Sequence, residues 1–560
     1  MLLRRRTAGR SAASLALGLM LLDPGTARAG ATASEDAAVI HVLNRLAYGP
    51  RPGDVEKVKA MGLEKWIAQQ LEPRRIADPA VGPLLARLET AELSSHDLLK
   101  GYEVPRAARR EIAQKQAEMA DASEDSKREA RRELMQQYGS QMQGTPRQVI
   151  AELQEAKVVR AVHSERQLDE VLVDFWLNHF NVYAQKGPVK FLVAEYERDA
   201  LRPHAWGRFE DLLLATAESP AMLFYLDNWL SSDPTARPTA MGTPGARRGR
   251  LGAGSGGQTM RRPADDAPQG RGRKRGLNEN YAREIMELHT LGVEGGYTQK
   301  DVTEVARCFT GWTIKGLRND RPEFQFEPRF HDNGDKVVLG QTIKAAGRDE
   351  GRKVIHLLAT QPATARFIST KLVRRFVADE PPADLVERAA TVFKKTDGDI
   401  REVVRAIVTS PEFLGGTYRN AKVKTPLEFV VSAVRASGAA VDDPIDLAKR
   451  IAAMGMPLYM EQPPTGYKDT ADAWVSTSGL LARLNFALDL AGGRVVGVRV
   501  DTAKLAGGAS EGVAAATAMA ARLVPQGLSD STRKTIDGEE NLSPARMAGL
   551  VLGSPEFQRR

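Results

Sequence analysis

The sequence predicts a mainly helical, multi-helical protein with two packed helical lobes, a minor β-hairpin and a disordered insertion. Apolar residues recur at spacings of three and four in AAVIHVLNRLAYGP and GDVEKVKAMGLEKWIAQQL, as on the buried face of a helix. The best hairpin candidate is FHDNGDKVVLG, at 330–340, and we expect only a minor strand content. The chain of 560 residues is also too long for one ordinary core, which favours more than one lobe.

The N-terminus has the features of a signal peptide. Arg4-Arg5-Arg6 precedes a short apolar run at 11–22, and Ala27-Arg28-Ala29 fits an A-x-A cleavage site. No later segment offers about 18 uninterrupted apolar residues, so we expect no transmembrane span after signal cleavage. We therefore expect an exported, periplasmic or secreted protein. The general secretory route is favoured, and the paired arginines leave the twin-arginine route open.

Composition and periodicity divide the chain into six parts. The insertion nearly lacks large apolar residues, so burial cannot offset the entropy of ordering it. The alternative is a basic arm for anionic lipid or polysaccharide. The parts are a signal peptide (1–29), an N-terminal helical region (30–146) that contains a charged helix (106–137), a first part of the helical core (147–230), a disordered Gly/Pro/Arg-rich insertion (231–276), a second part of the core (277–495) and a C-terminal helical region (496–560).

The charges of the chain are unevenly distributed. The net charge is +8, but residues 1–29 and 231–276 carry more positive charge than this, which leaves the folded body mildly acidic. A basic nucleic-acid-binding face is not supported, and we expect no nucleic-acid partner. The alternating signs of 106–137 predict a solvated helix or linker, with a partner-binding helix as the alternative.

The common enzyme motifs are missing from the sequence. It contains no G-x-S-x-G, phosphate-binding loop, dinucleotide fingerprint or C-x-x-C. Cys308 is the single cysteine, which excludes an intramolecular disulfide. Its position beside Phe309 favours a small buried hydrophobe over a nucleophile.

The stretch DFWLNHFNVY, at 174–183, places amides and an imidazole among four aromatic residues. Burying an unpaired polar group costs roughly 1–3 kcal/mol, so Asn178, His179 and Asn181 either have dedicated partners or line a site. In a helix, His179 shares the apolar face of Phe175 and Trp176. It is either a buried, hydrogen-bonded histidine or a ligand or general base.

A second polar group lies in LNENYAREIMELHTLG, at 277–292. Asn280, Glu284 and Glu287 fall on one helix face, where two carboxylates one turn apart can bind a hard cation or share a proton. They are equally compatible with a solvated face. His289 is not at the spacing that pairs it with either carboxylate on one metal.

The hairpin candidate carries a third group of polar residues. Asn333-Gly334 is its predicted turn, and His331, Asp332 and Asp335 surround that turn. Three such side chains within five residues could coordinate a metal, whereas Asx-turn hydrogen bonding explains Asp332 without a ligand.

Several motifs in one order resemble those of the bacterial "domain of unknown function 1800" family. They are FWLNHFNVY, SPAMLFYLDN, NENYAREIMELHTLGVEGGYTQKDVTEVARCFTGW, FHDNGDKVVLG, PATARFISTKLVRRFVADEPP, TPLEFVVSAVRASGA, GMPLYMEQPPTGY and AWVSTSGLLARLNFAL. The resemblance implies a large, exported, mostly helical protein, often encoded beside an exported partner that resembles phosphatases and sulfatases. It implies no activity, so no catalytic residue is carried over.

If these helices pack together, their polar residues form one cluster inside an aromatic shell. A divalent metal is the cofactor that such a cluster could hold. The cluster residues are Asn178, His179, Asn181, Asp227, Asn228, Asn280, Glu284, Glu287, His289 and His331, and the candidate metal ligands are His179, Glu284, Glu287, His331 and Asp332.

Two interpretations of function remain at this point. The first is a binding or accessory protein of the cell envelope, favoured by the missing catalytic motifs. The second is a metal-assisted hydrolase of the envelope, favoured by the density of Asn, His and Glu in apolar surroundings.

Overall fold

The structure is a computed structural model, and it describes residues 24–139, 142–235, 276–317, 320–508, 512–538 and 543–560. Residues 1–23 and 236–275, which hold most of the predicted signal peptide and of the predicted insertion, lie outside the described residues.

Helices form nearly all of the regular structure before the insertion. They are α1 (Pro24–Leu46), α2 (Asp54–Met61), α3 (Leu63–Gln70), α4 (Val81–Leu85), α5 (Ser95–Tyr102), α6 (Arg106–Glu118), α7 (Glu124–Gln137), α8 (Pro146–His163), α9 (Gln167–His179), α10 (Val189–Glu195), α11 (Phe209–Ala217) and α12 (Pro220–Tyr225). A π-helical turn at Tyr196–Leu201 extends α10.

Helices also dominate after the insertion. They are α13 (Glu279–Met286), α14 (Gln299–Cys308), α15 (Arg348–Ala359), α16 (Pro362–Phe376), α17 (Ala383–Lys395), α18 (Ile400–Val408), α19 (Pro411–Leu414), α20 (Pro426–Ala436), α21 (Ile445–Ala453), α22 (Thr477–Ala491), α23 (Thr502–Leu505), α24 (Gly512–Leu523), α25 (Asp530–Asp537) and α26 (Pro544–Leu552). A second π-helical turn, Glu287–Leu291, extends α13. The predicted mainly helical fold is confirmed.

The strands of the described residues form three small antiparallel pairs. The pairs are β1 (Trp312–Lys315) with β2 (Glu323–Phe326), β3 (Lys336–Val338) with β4 (Gln341–Ile343), and β5 (Ala440–Val441) with β6 (Val498–Arg499).

The predicted hairpin within residues 330–340 is wrong in its position: the hairpin that forms does not turn at Asn333-Gly334, and its second strand, β4, lies beyond residue 340. The turn joining β3 and β4 is Leu339-Gly340, whose φ angles of 48° and 76° are both left-handed, as a tight two-residue hairpin turn requires. Gly334 instead donates its N–H to Asp332 Oδ1 at 2.9 Å, the Asx turn that the sequence offered as the alternative.

Side-chain caps and a glycine define the ends of the helices around residues 278–298. The Thr298 side chain accepts from the Asp301 N–H, and Asp301 returns the bond, which completes a capping box before α14. Asn278 caps α13, and Gly292, with a φ of 80°, ends the π-helical turn that follows it. Cys308 is fully buried, and burial raises the pKa of its thiol to about 12, so it is not a poised nucleophile.

One main hydrophobic core unites segments from both sides of the insertion. It runs from Val39 to Phe557 along the chain. Ser232 donates its N–H to Gly276 O at 3.0 Å, so the chain leaves and re-enters the body at one point. Among the described helices, none is both long and apolar enough to cross a membrane.

The charged segment 106–137 is a helical hairpin rather than one helix. α6 ends at Glu118, and Ser123 caps α7 by accepting from the Ser126 N–H at 3.2 Å. The two helices pack mainly on each other. Segment 106–137 is therefore a helical hairpin that makes few contacts with the rest of the fold.

Candidate functional site

The aromatic run at the end of α9 is buried. Trp176 and Phe180 are fully buried, and Trp176 Nε1 donates to Ala205 O at 3.1 Å. Phe175 and His179 stack with 6.2 Å between ring centroids. The polar residues of this run therefore lie against buried aromatic side chains, where each needs a hydrogen-bond partner.

Asn178 and Asn181 bind the backbone of a distant segment, residues 461–467, hereafter the 461–467 loop. Asn178 Oδ1 accepts from Tyr467 N at 2.7 Å, and its Nδ2 donates to Tyr467 O at 2.8 Å. Asn181 Nδ2 donates to Glu461 O at 2.9 Å and to Pro463 O at 2.8 Å. The two amides thus replace the secondary structure that this loop lacks.

Gly466 lets the loop approach Asn178. Its φ is +70°, and a Cβ there would lie 2.6 Å from Asn178 Oδ1 and closer still to the Asn178 backbone oxygen. Both the dihedral and the close approach require glycine.

Replacing Gly466 with Ala is expected to lower the free energy of unfolding by about 2–3 kcal/mol, because it adds a clash to the left-handed strain. Gly455→Ala is the matched control, since Gly455 also has a positive φ, of 96°, but open space around its Cβ position. Urea unfolding of both variants measures the difference. Equal losses would show that the contact with Asn178 contributes nothing.

His179 lies between a backbone carbonyl and a lysine. Its Nε2 is 3.1 Å from His289 O, and its Nδ1 is 2.8 Å from Lys371 Nζ. The carbonyl can only accept, which assigns the proton to Nε2 and leaves Nδ1 to accept from the lysine. Burial, and then the charge of Lys371, hold the pKa of His179 well below its usual range. His179 is therefore a neutral positioning group for the lysine.

Lys371 is a partly buried cation on α16. Its hydrogen-bond partner is His179 Nδ1, and its Nζ lies 5.6 Å from the centre of the Phe367 ring. It forms no ion pair within the described part of the chain. Burial, and then the neighbouring Arg374, lower the pKa of Lys371 to about 8. At neutral pH the group is mainly protonated and lacks a paired anion.

Lys371 faces a cavity of about 410 Å³, hereafter the Lys371 pocket. One wall comes from α9, another from α16, and the third from the chain that continues from the 461–467 loop. The lining residues are Asp174, Phe175, Asn178, His179, Lys371, Arg374, Arg375, Thr425, Met456, Thr465, Gly466, Tyr467, Lys468, Asp469 and Thr470.

The pocket carries more free positive than free negative charge. Asp174 is neutralised by Lys157, with 2.6 Å between Oδ1 and Nζ. Arg374 uses its Nε for Asp379 O at 3.1 Å, and the described residues give it no ion pair. Asp469 also lines the pocket, but its Oδ1 is shared among Arg375, Lys422 and Arg560 at 3.7–3.8 Å. Arg374 and Lys371 therefore leave an excess of positive charge at the pocket wall.

An ionic network lies behind the pocket wall. Glu428 Oε1 is 2.5 Å from Arg375 Nη1 and 3.1 Å from Arg560 Nη2, and its Oε2 accepts from Thr425 N at 2.9 Å. Despite burial, these partners lower the pKa of Glu428 to about 2. The fixed carboxylate anchors the helix that carries Lys371 to α20.

His289 is the other predicted cluster residue beside His179. The two ring centroids are 6.2 Å apart, and burial lowers the pKa of His289 to about 3. His289 Nε2 is buried and has no hydrogen-bond partner among the described residues. It is a neutral ring that fills the wall behind His179.

The carboxylates of α13 and its extension are placed differently from one another. Glu287 accepts from Tyr297 Oη at 3.0 Å. Glu284 is half-buried, and burial, followed by the charge of Glu287, raises its pKa. Asn280 is exposed and donates to Leu226 O at 3.3 Å.

The residues before the insertion hold the fold together locally. Asp227 pairs with Lys186 at 2.9 Å. Asn228 is fully buried, and its Nδ2 donates to Phe309 O and Trp312 O at 3.3 and 3.2 Å. These contacts fix the end of α12 to the start of β1.

His331 and Asp332 belong to a separate network. His331 Nε2 is 3.0 Å from Glu350 Oε1, and the buried Lys336 reaches the other oxygen of Glu350 at 2.5 Å. Asp332 pairs with Arg307 at 2.7 Å. The network joins the β3–β4 hairpin to α14 and α15.

The prediction of one polar cluster is therefore corrected. The ten residues divide among the Lys371 pocket and its loop, the face of α13, the end of α12, and the hairpin network. Most of the ten side chains form hydrogen bonds or ion pairs with partners of their own, so they do not converge on one site. In the described ranges, no group of three or more His, Cys, Asp or Glu side chains could hold a metal ion.

The cations of the pocket are not among the site residues predicted from the sequence. A usable signal is present in TKLVRRF, which places Lys371, Arg374 and Arg375 at i, i+3 and i+4 on an otherwise apolar helix. Cations on one face of a buried helix need counter-charges, so this pattern indicates a site or an ionic network.

Fold and pocket define the class: a large, mainly helical protein with a cation-lined pocket where distant segments of the chain meet. The chain belongs to the family described as "Protein of unknown function (DUF1800)", whose family model matches residues 41–559. The resemblance seen in the sequence is confirmed. No curated protein and no solved structure is significantly similar to the chain.

Proposed function

We propose that this chain is an exported binding protein of the cell envelope, and that the Lys371 pocket binds a small anionic ligand. The observation that carries the proposal is Lys371 itself. It is a cation at the wall of a cavity of about 410 Å³, and its hydrogen-bond partner is an imidazole rather than a carboxylate.

An anion would supply what the pocket lacks. A partly buried ammonium group without a counter-charge is unfavourable, and a carboxylate, sulfate or phosphate oxygen beside it would offset that cost. Arg374 can contribute the nitrogens that Asp379 O does not occupy. His179 keeps Lys371 directed at the cavity, because its Nδ1 accepts one of the ammonium protons.

Export and an envelope partner complete the proposal. The signal-peptide pattern of residues 1–29 supports export. The family resemblance supports an exported phosphatase- or sulfatase-like partner, with this chain as the binding or accessory component. The alternative of a metal-assisted hydrolase has less support, since no group of three or more His, Cys, Asp or Glu among the described residues could hold a metal ion.

The test is calorimetric titration of the mature protein with acetate, citrate, sulfate and phosphate. We expect at least one anion to bind with a Kd below about 1 mM, and Lys371→Met to weaken it by about 100-fold, because a charge-assisted bond is lost. Lys353→Met is the control, since Lys353 is exposed on α15. If no anion binds, or if both variants bind equally, the proposal fails.

Affinity should depend on pH with a defined sign. Lys371 has a pKa of about 8 without ligand, and only its protonated form attracts an anion. A bound anion raises that pKa, so binding should be strongest below about pH 8 and should weaken above it. Titrations at several pH values measure this, and affinity that does not change across this range would contradict a role for Lys371.

A further inference from the structure

A second cavity lies between the helical hairpin and the body, away from the Lys371 pocket. α6 and α7 pack mainly on each other and leave a groove of about 1120 Å³ against α8, α10 and α21. This space is hereafter the hairpin groove. Its apolar lining comes from both sides, with Ile112 and Met135 on the hairpin and Ile150, Ile445 and Met460 on the body.

The charges that line the hairpin groove have one sign. Arg131 and Arg132 lie on α7, Arg147 lies in the first turn of α8, and Lys190 lies in the first turn of α10. None of the four has an ion pair in the described part of the chain, and no Asp or Glu of that part lines the groove. The groove thus combines an apolar lining with cations on both walls.

We propose that the hairpin groove binds an acidic amphipathic helix of a partner protein. Its apolar stripe would face Ile112, Met135 and Ile150, and its flanking Asp or Glu side chains would pair with the cations of both walls. Such a site goes beyond anion binding at Lys371 and gives the accessory role a physical basis.

The size of the groove fits a helix. A helix about 10 Å across that rises 1.5 Å per residue fills roughly 120 Å³ per residue. A groove of about 1120 Å³ therefore holds between two and three turns of helix, or roughly nine residues.

The placement of the cations favours a helix over a lipid. An anionic lipid carries its charge at one end, so cations spread over α7, α8 and α10 would lack partners along its chain. An amphipathic helix carries acidic residues along both flanks, and can meet cations on facing walls.

The probe is a labelled synthetic 14-residue peptide with Leu on one helical face and Glu on both flanks. Its binding to the full mature protein is measured by fluorescence anisotropy. Comparison peptides have the same composition in scrambled order, or Lys in place of Glu. We expect the acidic amphipathic peptide to bind at least about 10-fold more tightly than either comparison peptide.

The matched variants are Arg131→Glu with Arg132→Glu, and the control Lys394→Glu with Lys395→Glu. Both pairs are exposed, adjacent on a helix and change the net charge equally. The first double variant should weaken binding by about 10-fold or more and the control should not. Arg147→Glu, on the opposite wall, provides the same test if the first variant does not fold.

Three outcomes would overturn the proposal. The scrambled peptide could bind as tightly as the amphipathic peptide, which would mean that binding depends on charge alone. The control pair could weaken binding equally, which would mean a nonspecific effect of net charge. The peptide could fail to bind while vesicles of phosphatidylglycerol bind the parent protein and not the Arg131→Glu, Arg132→Glu variant. That result would assign the groove to lipid.

Discussion

Replacing Lys371 with Met is expected to stabilise the ligand-free protein while it weakens anion binding by about 100-fold. Burial lowers the pKa of Lys371 from 10.5 to about 8, so the folded state disfavours the charged form that the unfolded chain carries at neutral pH. Met keeps the length of the side chain without its charge. We expect a gain of about 1–2 kcal/mol at pH 7, after allowance for the lost hydrogen bond to His179.

The pH dependence gives this prediction a second measurement. The folded pKa lies below the unfolded one, so the parent protein gains stability from this group as pH rises from about 8 towards 10.5, where only the unfolded state still binds the proton. The advantage of Lys371→Met should therefore shrink over that range. Urea unfolding of the parent, Lys371→Met and the exposed control Lys353→Met measures it. A variant that is less stable at every pH would show that Lys371 has a structural role.

Replacing Glu428 with Gln is expected to destabilise the protein by about 3–5 kcal/mol. Two guanidinium groups, of Arg375 and Arg560, converge on one carboxylate oxygen, and both arginines are buried. Gln would leave the two buried cations with only Asp469, whose Oδ1 lies 3.8 Å from each guanidinium, as a shared counter-charge. Because the pKa of Glu428 is about 2 when folded and near 4.5 when unfolded, this stabilisation is present above about pH 4.5 and is lost as pH falls towards 2.

The control is a surface ion pair of similar geometry. Glu412 lies 2.6 Å from Arg388, at the start of a short helix, and both side chains contact solvent. Glu412→Gln should cost less than about 1 kcal/mol. Chemical unfolding at pH 7 compares the two variants, and a loss below about 1 kcal/mol for Glu428→Gln would remove the argument that the pocket rests on a fixed ionic base.

Features of the fold that depend only on neighbouring residues were predictable from the sequence. Caps at Asn278 and Thr298 were predictable, because a cap joins a side chain to a backbone group only two or three positions away. The burial of Cys308 was predictable from its position beside Phe309. The run DFWLNHFNVY was identified as polar groups in need of partners, because the cost of burying an unpaired amide or imidazole does not depend on the fold.

The hydrogen-bond partners of these polar residues follow only from the tertiary structure. Asn178 binds Tyr467, 289 positions away, and His179 receives a hydrogen bond from Lys371, 192 positions away. The position of the hairpin turn also depends on a distant contact. Asp332 pairs with Arg307 and accepts from the Gly334 N–H, so residues 332–334 form an Asx turn and the hairpin turn lies at Leu339-Gly340. Local periodicity fixes which face of a helix is buried, but not which distant helix covers it. Packing across the whole core makes that choice, and with it the pocket.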